Sequence, residues 1–383
     1  MSAADGSTAE DRAAEVAAKL GRVRALLERE RLAGLLLTRQ GSVAWLTAGT
    51  TNPVVRGADP GTLWALVTPD RAWVVTNNID AARIEAEDPP EALGLQLVAL
   101  PWHAGSAERF VLRQVAAGRL GNDGLGPGRD LSATLMPLRM KLSPPERERL
   151  RRLGRDARGA LEGAMRELRP GDTERALAAE VARRCELAAI FPQVLLVSGE
   201  RRRRFRHPVP TELPIERDAL GVLCGERGGL FVALSRSVSF GAPDPGLEED
   251  HRIACEVDAD LIAATRPAGR RTYSEVLDRA LIAYNRLGRP DEWQRHHQGG
   301  PLGYAVREQV VLPRVTHVGG PQLLIEAGNA CAWNPSAGRS KSEDSFLVGE
   351  DGNELITTGG GWPELELATA GGALGRPGIL QLS

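Results

Sequence analysis

No stretch of this 383-residue chain approaches the roughly 20 consecutive apolar residues that a bilayer-spanning helix needs. Cysteine is scarce: Cys185, Cys224, Cys255 and Cys331 lie far apart with no CxxC pair. That excludes a zinc ribbon and speaks against a disulfide framework. Charge of one sign is lacking too. Lys plus Arg is 48 and Asp plus Glu is 50, a formal net charge of −2. Such balance counts against a dedicated binder of nucleic acid or anionic membrane. One basic run, RRRRFRH (201–207), stands alone, with Phe205 as its only aromatic and no second cluster. It suits an exposed loop or a gate for an anionic substrate better than a nucleic-acid groove. Lysine is almost missing, limited to Lys19, Lys141 and Lys341. With abundant Ala and Gly, that reflects a GC-rich genome and says little about function. The first 15 residues are polar and acidic, without the basic and apolar regions of a secretory signal, so a cytoplasmic location is the default expectation.

What is present is a globular balance, 42% apolar and 26% charged, in a chain long enough to expect two domains. Residues 10–31 place Val16, Leu20, Val23, Leu26 and Leu27 at helical spacing. Short β-branched runs follow at 33–38, 62–69 and 71–77. Together they predict an α/β domain over residues 1–140. A new start is marked by KLSPPERERL, where Ser143 and Glu146 form a capping-box pattern and two prolines suit a first helical turn. Over 141–383 the patterns predict helices near 144–167, 173–188, 247–265 and 273–287. A hairpin is expected at 219–241 around Gly228-Gly229, and further strands at 322–335 and 345–358. The Gly-rich tail, 359–383, reads as partly loose. GNDGLGPG (121–128) and GGGW (359–362) lack the strand-to-helix context of a phosphate loop and read as turns.

The order of these segments carries a resemblance. The helical opening from Leu142, FRHPVP (205–210), the 219–241 hairpin, GGPLGYAVRE (299–308) and SEDSFLVGEDGNELIT (342–357) occur in the sequence of the creatinase / aminopeptidase P / prolidase superfamily. The chain resembles that superfamily along nearly its whole length. The resemblance implies an α/β N-terminal creatinase-like domain followed by an α+β pita-bread domain, assembled as a homodimer. It also implies a position for each metal ligand of the family's two-ion centre: two aspartates, a histidine and two glutamates. On this chain those positions fall on Val222, Ala233, Gly300, Asn334 and Glu343. Val, Ala and Gly have no side-chain lone pair to donate, and one carboxylate with one amide cannot hold two hard cations. No metal ligand set and no cofactor are therefore expected.

Creatinase is the superfamily's precedent for working without metal, and its histidine corresponds to His207. The expected catalytic residues are then His207, Glu343, His297 and Glu308. Arg307, Arg236, His296, Asn334, Lys341 and Arg56 are the expected substrate-binding residues. Imidazole suits proton transfer near neutrality, carboxylates hold a cationic amidine or amine, and arginine grips a carboxylate. The implied partner is a small zwitterionic substrate. By the same resemblance, the loop of residues 42–56, with Asn52 and Arg56, would reach the active site of the second subunit. Cys224 reads as core. Two competing readings stand beside a metal-independent hydrolase: a catalytically dead homologue that binds a peptide or protein, and a true Xaa-Pro-type metallopeptidase with relocated ligands.

Overall fold

The computed structural model describes residues 8–314 and 322–383. Its backbone forms two compact units. One comprises the chain up to Arg139 with Ser143–Arg149 and Gly228–Leu230; the other comprises Met140–Leu142, Leu150–Arg227 and the chain from Phe231 onward. No helix among the described residues is long and apolar enough to cross a membrane.

In the first unit, α1 (Ala9–Glu30) starts at a Thr8/Asp11 capping box and buries the expected Val16, Leu20, Val23, Leu26 and Leu27. The sheet contains β1 (Gly34–Leu37), β2 (Trp64–Val67), β3 (Ala72–Asn77), β4 (Gln96–Leu100), β5 (Leu120–Asn122) and β6 (Arg129–Asp130). Their order is β4-β3-β2-β1-β5-β6, with β1 and β2 and then β2 and β3 antiparallel and the outer pairs parallel. Leu36, Leu66, Trp73, Val75, Val111, Val115 and Leu120 fill a core beneath it. Helices α2 (Gln40–Leu46), α3 (Asn78–Glu87), α4 (Ala107–Gln114) and α5 (Ser132–Met140) complete the unit. The segment read as the start of a loop, residues 42–46, is thus helical: it buries Val43, Ala44, Trp45 and Leu46, whose spacing over one short turn carries too little periodicity to see. Lys19 is fully buried between Glu15 and Glu146, at 2.5 and 2.8 Å, and Glu15 also takes Arg149. These ions hold α1 against the first turns of α6 (Pro144–Arg166), whose start shows the predicted capping box: Ser143 N–H donates to Glu146 Oε2 at 2.7 Å.

The second unit continues α6 into α7 (Glu174–Leu187), capped by Thr173, and then β7 (Phe191–Gly199), β8 (Asp218–Arg227) and β9 (Leu230–Phe240). The predicted hairpin turns at Gly228 and Gly229, φ +60° and +81°, values that a two-residue turn needs and that glycine reaches without strain. Next come α8 (Pro245–Ala264), with Asp244 as N-cap, and α9 (Tyr273–Arg286), with a Thr272/Glu275 capping box. A four-stranded antiparallel sheet follows in the order β10 (Gly299–Leu302), β11 (Ala330–Trp333), β14 (Asp344–Leu347), β15 (Glu354–Leu355). The small hairpin β12 (Ser336–Ala337) and β13 (Ser340–Lys341) lies between β11 and β14 in the chain. The strand expected over 322–335 is confined to Ala330–Trp333.

The tail is a correction. Residues 364–382 form the hairpin β16 (Glu364–Thr369) and β17 (Gly372–Pro377), and then β18 (Ile379–Leu382), which pairs in parallel with β9. Its glycines serve turns rather than looseness, and it delivers Arg376, wholly buried, to the centre of the unit. Arg376 Nη2 donates to Asp258 Oδ2 at 2.6 Å and Asp344 Oδ2 at 2.8 Å. Asp344 Oδ1 in turn accepts from Arg236 Nη1 at 3.1 Å, and Arg236 Nε donates to Glu162 at 2.7 Å. Five alternating charges thus join α6, α8, β9, β14 and β17. They hold rigid the strand that begins one residue after Glu343.

Candidate functional site

The ladder of β11 and β14 pairs Trp333 with Asp344, and Ser342 N–H donates to Pro335 O at 3.1 Å one step further out. Asn334 is therefore opposite Glu343 on the same face, the arrangement that brings cross-strand side chains together. Both are buried, Glu343 with 1% of its side chain exposed. Its charge is matched from two directions. Arg307 Nη2 donates to Oε1 at 2.7 Å, and Lys341 Nζ, itself buried on β13, lies 3.5 Å from Oε2. Three buried polar atoms here have no hydrogen-bond partner among the described residues: Glu343 Oε2, Asn334 Oδ1 and Arg307 Nε. Buried groups are rarely left so, and two acceptors beside a donor describe the complement of a small polar molecule.

Three imidazoles gather in the same unit. His207 follows the basic run, and His296 and His297 follow a 3-10 turn at Glu292–Arg295. His296 Nε2 lies 3.0 Å from His207 Nε2, so one ring carries the proton and donates to the other. His296 and His297 stack with ring centroids 4.4 Å apart. The loop carrying His207 is tied to the turn before His296 by an ion pair from Arg206 to Glu292, and Arg206 Nη1 donates to Gly338 O at 2.7 Å. Gln298 fixes the other side by donating to His296 O at 2.7 Å. His296 is buried, whereas His207 and His297 are exposed. All three are held below the ordinary imidazole pKa. For His296 burial is the main cause, with Lys341 adding to it, and the value falls to about 2. His297 is pushed to about 4 by desolvation and then by Arg307. Desolvation and Lys341 lower His207, and Glu343 partly offsets them. Glu343, Lys341 and Arg307 are thus near enough for their charges to be felt by these rings.

The donor set does not fit a dinuclear metal centre. Val222 packs with Leu196 and Leu220, and Ala233 is a core residue whose N–H is taken by Ser345 Oγ at 2.7 Å. Gly300 has φ +140°, and a Cβ built there would meet Val311 Cγ2 at 2.6 Å, so no histidine could simply stand in its place. Of the five positions only Asn334 and Glu343 offer oxygen. The charge that metal ions would supply beside Glu343 comes instead from Arg307 and Lys341.

Other expected residues are placed differently. Arg236 is committed elsewhere: buried, it gives its N–H groups to Glu162, Asp344, Ser235 O and Thr357 O, because three buried carboxylates on neighbouring elements need compensation. Glu308 braces its own turn, its Oε1 accepting from Tyr304 N–H at 2.9 Å. Asn52 and Arg56 belong to the first unit. Asn52 is buried between Thr62 and Arg83, a structural position, and Arg56 is exposed at the end of a short 3-10 turn. Cys224 is buried, and desolvation pushes its thiol up to about 12, which suits core rather than nucleophile. The sequence reading missed the Arg206–Glu292 brace. An arginine directly before His207 and an acid just upstream of the histidine doublet were its only traces.

The model of metallopeptidase family M24 matches residues 148–356, over half of the chain, which therefore belongs to that family. Among solved structures, an Xaa-Pro dipeptidase from Bacillus anthracis is 19% identical with TM-score 0.73, covering 96% of this chain and all of its own. Dipeptidase PepE from Mycobacterium ulcerans is also 19% identical, TM-score 0.73, over 97% of this chain and 98% of its own. A prolidase from Pyrococcus horikoshii OT3 is 17% identical, TM-score 0.71, over 89% and 98%. At such identities the likeness shows the fold: an N-terminal domain followed by a pita-bread domain. No curated protein matches the chain.

Proposed function

We propose that this M24 member is a hydrolase that breaks a C–N bond in a small amino-acid-derived or guanidino substrate by imidazole proton transfer, without a dinuclear metal centre. The observation that carries this reading is the treatment of Glu343. It is kept and buried at a ligand-like position, yet salt-linked to Arg307 and Lys341, and beside it Asn334 Oδ1 has no hydrogen-bond partner among the described residues. Substrate N–H groups would fill Glu343 Oε2 and Asn334 Oδ1, and a carboxylate would meet the cationic side of the site. His207, paired with His296, would take a proton from water as its oxygen adds to the substrate carbon. The C–N bond then breaks, and that proton passes to the departing nitrogen. The element that gives substrate to such a site is complementarity of charge, so binding is the first readout.

A panel of guanidino acids, amino acids and dipeptides should include small zwitterions that raise the melting temperature saturably, about 2.7 kcal/mol of stabilisation at a hundredfold excess over Kd. The shift should vanish in Glu343→Gln. A response to no small zwitterion, with tight capture of a longer peptide, would favour the binding-only reading. Xaa-Pro hydrolysis that depends on added manganese would favour a peptidase.

A further inference from the structure

His207, His296 and His297 also have the composition of a metal site that the family pattern does not contain. One ring nitrogen from each lies within 4.8 Å of the others, and among the described residues this is the group of His, Cys, Asp and Glu that meets such a spacing. Tetrahedral coordination at about 2.0–2.1 Å sets ligand nitrogens about 3.3 Å apart. His296 Nε2 and His207 Nε2 already stand at 3.0 Å, a few tenths of an ångström from that value. His297 stacks on His296, and its exposed position, like that of His207, lets it close the remaining distance by side-chain rotation. The braces from Arg206 and Gln298 hold the two stretches of backbone in register.

We infer that these three imidazoles form a site for one divalent transition-metal ion of the zinc class. Three neutral nitrogen ligands without a carboxylate select zinc, cobalt, nickel or copper over magnesium or manganese, the opposite of a carboxylate-rich shell. Lys341 and Arg307 oppose a cation here and Glu343 favours it, so the site is expected to bind reversibly rather than permanently. The site itself does not need the proposed hydrolase to be correct. Its consequence does: resting on that reading, an ion on His207 occupies the lone pair that proton transfer uses, so zinc is an inhibitor and a chelator raises the rate.

The test uses the full chain, stripped of metal and titrated calorimetrically with zinc chloride in the absence of substrate. One ion per chain is expected, together with visible absorption of tetrahedral cobalt(II) when cobalt replaces zinc, and no heat from manganese or magnesium. His207→Ala and His297→Ala, both at exposed positions, should each weaken zinc at least about a hundredfold at an unchanged melting temperature. Absence of zinc binding, or zinc binding undiminished in both variants, would overturn the site. Zinc that binds as described but leaves turnover untouched would uphold the site and count against imidazole proton transfer.

Discussion

Replacing His207 by alanine is expected to lower hydrolysis by about 10²–10⁴-fold, the usual contribution of a positioned acid–base group. Release of amine or ammonia from the best stabilising substrate would show it. His207 is exposed and its ring meets those of His296 and His297, so little packing is lost and the melting temperature should hold. Substrate affinity should hold as well, since Glu343, Asn334 and Arg307 keep their places. A fall confined to the turnover rate separates proton transfer from a merely structural loop residue. Wild-type turnover in this variant would refute the role.

The second large effect concerns stability. Arg376→Met is expected to cost about 3–5 kcal/mol, because it removes the guanidinium that pairs with buried Asp258 and one of the two that pair with buried Asp344. Burial already holds Asp258 up to about 6 against the pull of Arg376. Without the guanidinium, Asp258 would have to take up a proton or be hydrated, and β14 would keep Arg236 but lose the anchor that ties it to α8 and β17. Denaturant unfolding would measure the loss. A cost below about 1 kcal/mol would mean that the five-charge chain does not hold the strand next to Glu343.

Much of this architecture is legible in the residues. The apolar spacing of α1, the Ser143/Glu146 capping pair and Gly228-Gly229 each specify local structure through local chemistry, and the structure bears them out. Glu343 and Asn334 stand out once the segment order is recognised, and the ladder of β11 and β14 places them opposite each other. What the sequence hides is long-range. Arg236 reads as a substrate anchor because its charge is visible, whereas Glu162 and Asp344, 74 and 108 positions away, are not visible as its partners. Arg376 sits in a Gly-rich tail whose composition suggests looseness, and only pairing of β18 with β9 reveals its purpose. His207 and His296, 89 positions apart, are two separate candidates in the sequence and one hydrogen-bonded pair in the fold.

The central point is that Arg307 and Lys341 stand where metal charge would be needed beside Glu343. Crystals of the full chain soaked in manganese chloride and measured at the manganese absorption edge test it most directly. The expected result is no anomalous peak within bonding distance of Glu343 or Asn334, with the Arg307–Glu343 ion pair intact. One or two manganese ions coordinated by Glu343, with Arg307 swung away, would contradict it.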